Sequence, residues 1–274
     1  MSNMRLEKLS YWGFNFTKNA PNIILDSGSL FFRRNLLRQK PDSTKLLVGT
    51  HHKVLTVFLG RVFRCFAIAS GRTAVQGKGA QIDYTKDILL DHHSQYDLTK
   101  LNDAPYVGIH VIRDPRDLLV SCAFYHQKSA ERWLHVPQDR LGGKTYQQHV
   151  NDLPTMEARL LFELENSGGE NLRDMLAWDR TNQNFSELRY EDLIGPRSVD
   201  LFEQAIMHWP LSAGERAILM QFYRYFSLTG PGVKGNKHVR NPTSGQWRNH
   251  FTPAVEREFH TMFPNSINDL EYEA

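Results

Sequence analysis

The stretch Arg113-Asp-Pro-Arg-Asp-Leu-Leu-Val-Ser121 decides how this chain folds. It follows the apolar run Tyr106–Ile112 and opens an apolar-periodic segment that continues to about His126. This order reads as a buried strand, a sharp corner and a helix. Asp114 is placed to cap the helix. Pro115 falls at its first position, where a missing N–H costs nothing. The corner sets the Arg113 guanidinium at the carboxyl end of a strand, where open α/β sheets bind ligands. Ser121 follows about two helical turns later. An arginine fork and a hydroxyl together suit a phosphate, which the fork can grip with two hydrogen bonds.

Working outward, short apolar runs alternate with helical patterns. Strands are expected at Lys45–Gly49, 73–76, 87–90, Tyr106–Ile112 and 187–190. Helices are expected from about 53 to 69 and over 115–127, 145–165, 171–178, 199–208, Ala213–Phe226 and 253–263. Such alternation predicts an α/β fold with a mainly parallel sheet covered by helices on both faces. At 274 residues and 41% hydrophobic content, one domain spanning 1–274 is expected.

The formal charge of +3 is mild and lacks the basic excess of a nucleic-acid binder. No apolar run reaches the ~18 residues of a membrane span, and residues 1–16 carry no signal-peptide core. A cytoplasmic protein is therefore expected. The two cysteines, Cys65 and Cys122, read as buried small hydrophobes, and no disulfide framework is implied. Two polar, glycine-containing loops stand out at 128–144 and 229–246, as binding loops often do.

A second stretch, Val239-Arg-Asn-Pro-Thr-Ser-Gly-Gln-Trp-Arg-Asn-His-Phe-Thr252, gives the first its meaning. Together they resemble the sulfotransferases that use 3′-phosphoadenosine 5′-phosphosulfate (PAPS). That family's 3′-phosphate motif runs Arg-(Asp/Asn)-Pro-x-Asp with a serine eight residues after the arginine. Its C-terminal motif reads Arg-Lys-Gly-x-x-Gly-Asp-Trp-Lys-Asn-His-Phe-Thr. Arg240, Gly245, Trp247, Asn249, His250, Phe251 and Thr252 match, while Asn241, Pro242, Gln246 and Arg248 depart. Tyr190-Glu-Asp-Leu193 is similar to the family's strand-ending Tyr-Glu-Asp-Leu element.

The resemblance implies the P-loop-NTPase-like sulfotransferase fold and assigns roles residue by residue. Arg113, Ser121 and Arg240 would hold the 3′-phosphate. The turn Gly49-Thr-His-His-Lys-Val-Leu-Thr-Val-Phe58 aligns with the family's phosphosulfate loop, Pro-Lys-Ser-Gly-Thr-Thr-Trp. Lys53 takes the lysine's place and Thr56 the first threonine's, while Leu55 stands where the family has glycine. A turn entering a helix offers backbone N–H groups to an anion, and Lys53 adds charge against the leaving phosphate. Phe58, Tyr190 and Trp247 would lie near the adenine. The family's base is a histidine just after the third strand. Here that place reads Leu90-Asp91-His92-His93-Ser94, so His92 or His93 is expected to be the base, with one facing the cleft and Asp91 next in line. Histidine suits the role because it titrates near neutrality.

Of the remaining histidines, His110 reads as structural, His250 as ordering the cofactor loop, and His126 as an interaction with its helix C-terminus. The pairs 51/52 and 92/93 lack the spacing of a zinc motif, and the family's transfer needs no metal. The chain also lacks a G-x-x-x-x-G-K-[ST] loop. The expected activity is transfer of the PAPS sulfuryl group to a hydroxyl or amine of a small molecule, lipid or glycan. A nucleotide kinase-like enzyme and a non-catalytic PAP-binding protein are the alternatives. The acceptor pocket is expected from residues 1–43, with Trp12, Phe14, Phe31 and Phe32, and from the 128–144 loop with Trp133. The 229–246 loop is expected to close over the cofactor.

Overall fold

The five short segments expected as strands all become strands of one parallel sheet, with ends displaced by at most two residues. The structure is a computed structural model that describes residues 43–228, 230–231 and 243–273. Its strands are β1 (Lys45–Gly49), β2 (Ala74–Gly77), β3 (Ile88–Asp91), β4 (Tyr106–Ile112) and β5 (Phe185–Arg189). They lie in the order β2-β3-β1-β4-β5, and every pairing is parallel. The chain leaves β1 toward one edge and later returns to the other side of it at β4. The carboxyl end of β1 is thus where the winding direction reverses, the usual crevice of a doubly wound sheet.

Two helices lead away from this crevice. Helix α1 (Thr56–Ser70) follows β1, and α2 (Pro115–His126) follows β4. The Asp114 side chain accepts from the Arg116 N–H and Pro115 begins the helix, as the sequence requires. Pro154 then divides what the sequence pattern presents as one helix over 145–165. Leu153, before the proline, is extended at ψ 129°. The result is α3 (Tyr146–Asp152), closed by a Thr145/Gln148 capping box, and α4 (Met156–Glu165), capped by Thr155.

Helix α5 (Ser167–Leu176) starts four residues earlier than the pattern implies, because Gly168 and Gly169 are part of it. Both sit against the end of α4. A Cβ on Gly169 would overlap the Leu164 carbonyl oxygen, and one on Gly168 would come within 2.9 Å of the Glu163 oxygen. Gly169→Ala should therefore cost about 3 kcal/mol, the upper part of the overpacking range, read from urea unfolding midpoints. A loss under about 0.5 kcal/mol would mean the α4–α5 corner relaxes freely.

The chain continues through α6 (Tyr190–Leu193), α7 (Ser198–Ala205), α8 (Ala213–Phe226), α9 (Pro253–Met262) and α10 (Ser266–Asp269). One large core joins the inner strands to α1, α2, α4, α5 and α8, with Phe63, Phe66, Phe202 and Tyr223 buried in it. Cys122 is buried and Cys65 half-buried; both are free thiols. Among the described residues no helix is long and apolar enough to cross a membrane.

Candidate functional site

The turn from β1 into α1 forms the floor of the crevice. The Thr50 N–H donates to the Asp91 carbonyl 2.9 Å away, which ties the turn to the end of β3. Lys53 and Leu55 both adopt left-handed backbone, at φ 65° and 57°. Leu55 occupies the place of the family's glycine, and its positive φ shows why glycine suits it. The leucine holds the same conformation and packs its side chain against the core. Among the described residues no side chain caps helix α1, which leaves the N–H groups of its first turn open to a ligand. Thr56 turns its hydroxyl inward, donating to the His51 carbonyl at 2.8 Å and meeting Thr50 Oγ1 at 3.1 Å. The Lys53 ammonium lies 3.5 Å from the centre of the Tyr125 ring.

Sheet register carries Arg113 to this turn. Ile112 pairs with Arg189 across β4 and β5, so Arg113 and Tyr190 leave the sheet side by side. The guanidinium lies 4.0 Å over the Tyr190 ring, and Nη1 donates to the Lys53 carbonyl at 3.0 Å. Arg113 is 3% exposed, and its Nε is buried without a hydrogen-bond partner. The arginine expected at the 3′-phosphate thus also braces the turn expected at the 5′ end. Ser121 is half-buried on α2. Phe58 packs edge-on to Tyr223, with ring centres 5.1 Å apart. Arg240 lies outside the described residues, as do residues 1–42 with Trp12, Phe14, Phe31 and Phe32, and most of the 229–246 loop.

Asp117, the last residue of the Arg-Asp-Pro-Arg-Asp motif, anchors the second family-like stretch. Its carboxylate accepts the Gly245 N–H at 2.6 Å and the Trp247 N–H at 2.9 Å. Burial raises its pKa, against the pull of these two bonds. Arg116 is held by the Asp114 carboxylate and lies 3.8 Å from the Trp247 ring centre. The Trp247 Nε1 is buried and unpartnered. His250 sits edge-on to Phe124, beside this anchor.

Beyond β3 the chain bends, and His92 and His93 lie past the last strand residue, Asp91. Strand alternation no longer separates them: their rings are 5.0 Å apart, edge to face. His93 Nδ1 sits 2.6 Å from Asp174 on α5, and Gln95 donates to the same carboxylate. His92 Nδ1 is buried without a partner, and burial lowers its pKa. Asp91 is spent on structure, accepting the N–H groups of Gly79, His93 and Gln95.

Two further histidines of the turn are engaged. His51 Nε2 meets His110 Nε2 at 2.9 Å, and His110 Nδ1 meets Glu187 at 3.3 Å. His110 is fully buried in β4, as expected of a structural histidine. His52 Nε2 meets His126 Nε2 at 3.1 Å, and His126 Nδ1 lies 2.6 Å from Glu163. His126 thus faces a buried carboxylate as well as closing its helix.

Cys122 adds a thiol, so ligand atoms of His52, Cys122 and His126 fall within 4.8 Å of one another. The His52 and His126 rings are nearly coplanar, at 13°, with centres 5.3 Å apart, so they meet end to end. An ion about 2.0–2.1 Å from each nitrogen would sit well off both lone-pair axes. The two Nε2 atoms are 3.1 Å apart, at hydrogen-bond distance.

No family model matches this chain, and no curated protein matches it. Solved structures do. The chain superposes on mouse sulfotransferase SULT7A1 complexed with PAP at a TM-score of 0.55 and 16% identity, covering 89% of this chain and 90% of that one. It superposes on retinol dehydratase in complex with androsterone and the inactive cofactor PAP at 0.51 and 13%, covering 88% and 85%. Retinol dehydratase with retinol and PAP gives 0.51 and 12%, covering 90% and 88%. The fold is the sulfotransferase fold.

Proposed function

We propose that this protein is a PAPS-dependent sulfotransferase that sulfates a hydroxyl or amine of a small molecule, lipid or glycan. The observation that carries this reading is the Arg113–Lys53 bond. It joins a buried arginine at the end of β4 to an uncapped helix N-terminus at the end of β1. A ligand with phosphate groups at both ends suits that pairing. The unpartnered Arg113 Nε and Trp247 Nε1 fit a polar ligand in the same crevice.

On this reading Arg113, Ser121 and Arg240 hold the 3′-phosphate, and Phe58, Tyr190 and Trp247 lie near the adenine. Bound there, PAPS supplies the sulfuryl group. Lys53 and the first-turn amides of α1, with Thr56 shaping the turn, stabilise negative charge on the departing phosphate oxygen. His93 is the base. Asp174 accepts its Nδ1 proton, which leaves the Nε2 lone pair to take the acceptor's proton. Positioning and fixed charge do most of the work, and this part of the chemistry calls on no metal.

The test is twofold. Equilibrium dialysis should show PAP bound well ahead of ATP, and labelled sulfate should pass from PAPS to an acceptor in a cell lysate. ATP binding in preference would point to a nucleotide kinase-like enzyme. Tight PAP binding without transfer to any acceptor would leave a binding protein.

A further inference from the structure

His52 opens a chain of polar groups that the transfer step above does not use. It stands directly before Lys53, and its half-buried ring lies edge-on to Tyr125, the ring that carries the Lys53 ammonium. Behind it come His126 and Glu163, both fully buried. The Glu163 carboxylate is well supplied with donors. It accepts from His126 at 2.6 Å, from the Tyr146 hydroxyl at 3.1 Å and from the Gly168 N–H at 3.2 Å.

With His126 neutral, proton counting fixes the tautomers. Glu163 takes the Nδ1–H of His126, so the Nε2 of a neutral His126 is an acceptor. The end-to-end contact then requires the Nε2–H of His52. The remaining atom, His52 Nδ1, has no hydrogen-bond partner among the described residues and in the neutral chain presents a lone pair. An anion cannot bind to that lone pair. One added proton turns His52 Nδ1 into a donor, and the shared proton can shift so that the positive charge rests on His126, beside Glu163. The neighbouring His51–His110 chain has no such use, because His51 is fully buried and its Nδ1 is sealed in.

We propose that His52 is a ligand for the phosphosulfate end of the cofactor, and that the His52–His126–Glu163 chain takes up one proton when that anion binds. The inference rests on the PAPS reading. The groups facing His52 are His51 and Lys53 in its own turn, Cys122, Tyr125 and His126 on α2, and Tyr146 on α3. Glu163 on α4 and His92 and His93 beyond β3, the latter backed by Asp174, complete them. Burial first, then charge on His126 whenever it is protonated and the Lys53 ammonium, hold the His52 pKa well below its usual value. His52 itself is therefore neutral in the free protein at pH 7. A bound anion raises that pKa, so a proton enters, and affinity falls as pH rises, by up to about tenfold per pH unit for one linked proton.

Titration calorimetry with PAP, run at one pH in buffers of different ionisation enthalpy, counts the protons. Wild type should take up close to one proton more per PAP than His52→Gln. It should also lose more PAP affinity than that variant between pH 6.5 and 8.5. Glu163→Gln gives the same readout from the far end, since an amide cannot balance a charged His126, and it serves if His52→Gln misfolds. Equal uptake in wild type and these variants, with PAP still bound, overturns the inference alone. A wild-type protein that binds no PAP overturns the PAPS reading and this inference with it. Stoichiometric Zn²⁺ binding that Cys122→Ser abolishes would make the histidines metal ligands and overturn the chain as a proton acceptor.

Discussion

Replacing His93 by glutamine should lower sulfuryl transfer by about 10²–10⁴-fold, the contribution of a positioned general base, and leave PAP affinity near wild type. The reasoning is geometric. His93 is held by a carboxylate at 2.6 Å, which fixes its ring and frees the opposite nitrogen. His92, five ångströms away ring to ring, has no such partner, and its buried Nδ1 faces inward. His92→Gln should therefore retain most of the turnover. Asp174→Asn should fall between the two, because the amide leaves the ring near its place but no longer favours the required tautomer. Steady-state kcat and calorimetric PAP affinity on the same preparations separate these outcomes. If His92→Gln is the inactive variant, the roles of the two histidines are exchanged. If both variants turn over normally, the base lies elsewhere, and Asp91 is a poor substitute because three backbone N–H groups already occupy it.

Arg113→Ala should weaken PAP binding by about 1.5–3 kcal/mol, the range for hydrogen bonds to charged groups. That corresponds to roughly tenfold to more than a hundredfold in Kd. Adenosine 5′-phosphosulfate lacks the 3′-phosphate, so its loss should be smaller. It should not be zero, because the same guanidinium holds the Lys53 carbonyl and removing it loosens the turn under the 5′ end. Arg113→Lys keeps the charge but not the planar fork, and should recover only part of the PAP affinity. Equal losses for both nucleotides would show that Arg113 serves the turn and does not read the 3′-phosphate.

These two outcomes draw on different kinds of information. The Arg113 corner was legible from the sequence because its causes are local. An apolar run of strand length, an aspartate that caps, and a proline that fits only the first helical position follow one another within a few residues. Strand Tyr106–Ile112 and helix Ala213–Phe226 have the predicted bounds for the same reason. Where local signals conflicted, the sequence misled. The helical period runs on through 145–165 while Pro154 breaks it, and the helix expected from 171 begins at Ser167 because Gly168 and Gly169 pack closely against Glu163 and Leu164.

The functional contacts were decided by tertiary structure. Lys53 meets Arg113 across 60 positions, His93 meets Asp174 across 81, and Asp117 meets Gly245 across 128. None of these pairs has a spacing that a period of 2 or 3.6 can register. They form because parallel pairing in the order β2-β3-β1-β4-β5 brings the ends of β1, β3 and β4 to one crevice. The sequence alone determined which residues carry charge and where the elements with strong local signals begin, such as β4 at Tyr106, α2 at Pro115 and α8 at Ala213. Sheet order and register determined which of those charges meet, because strand pairing joins segments far apart in the chain and its register fixes which side chains emerge together.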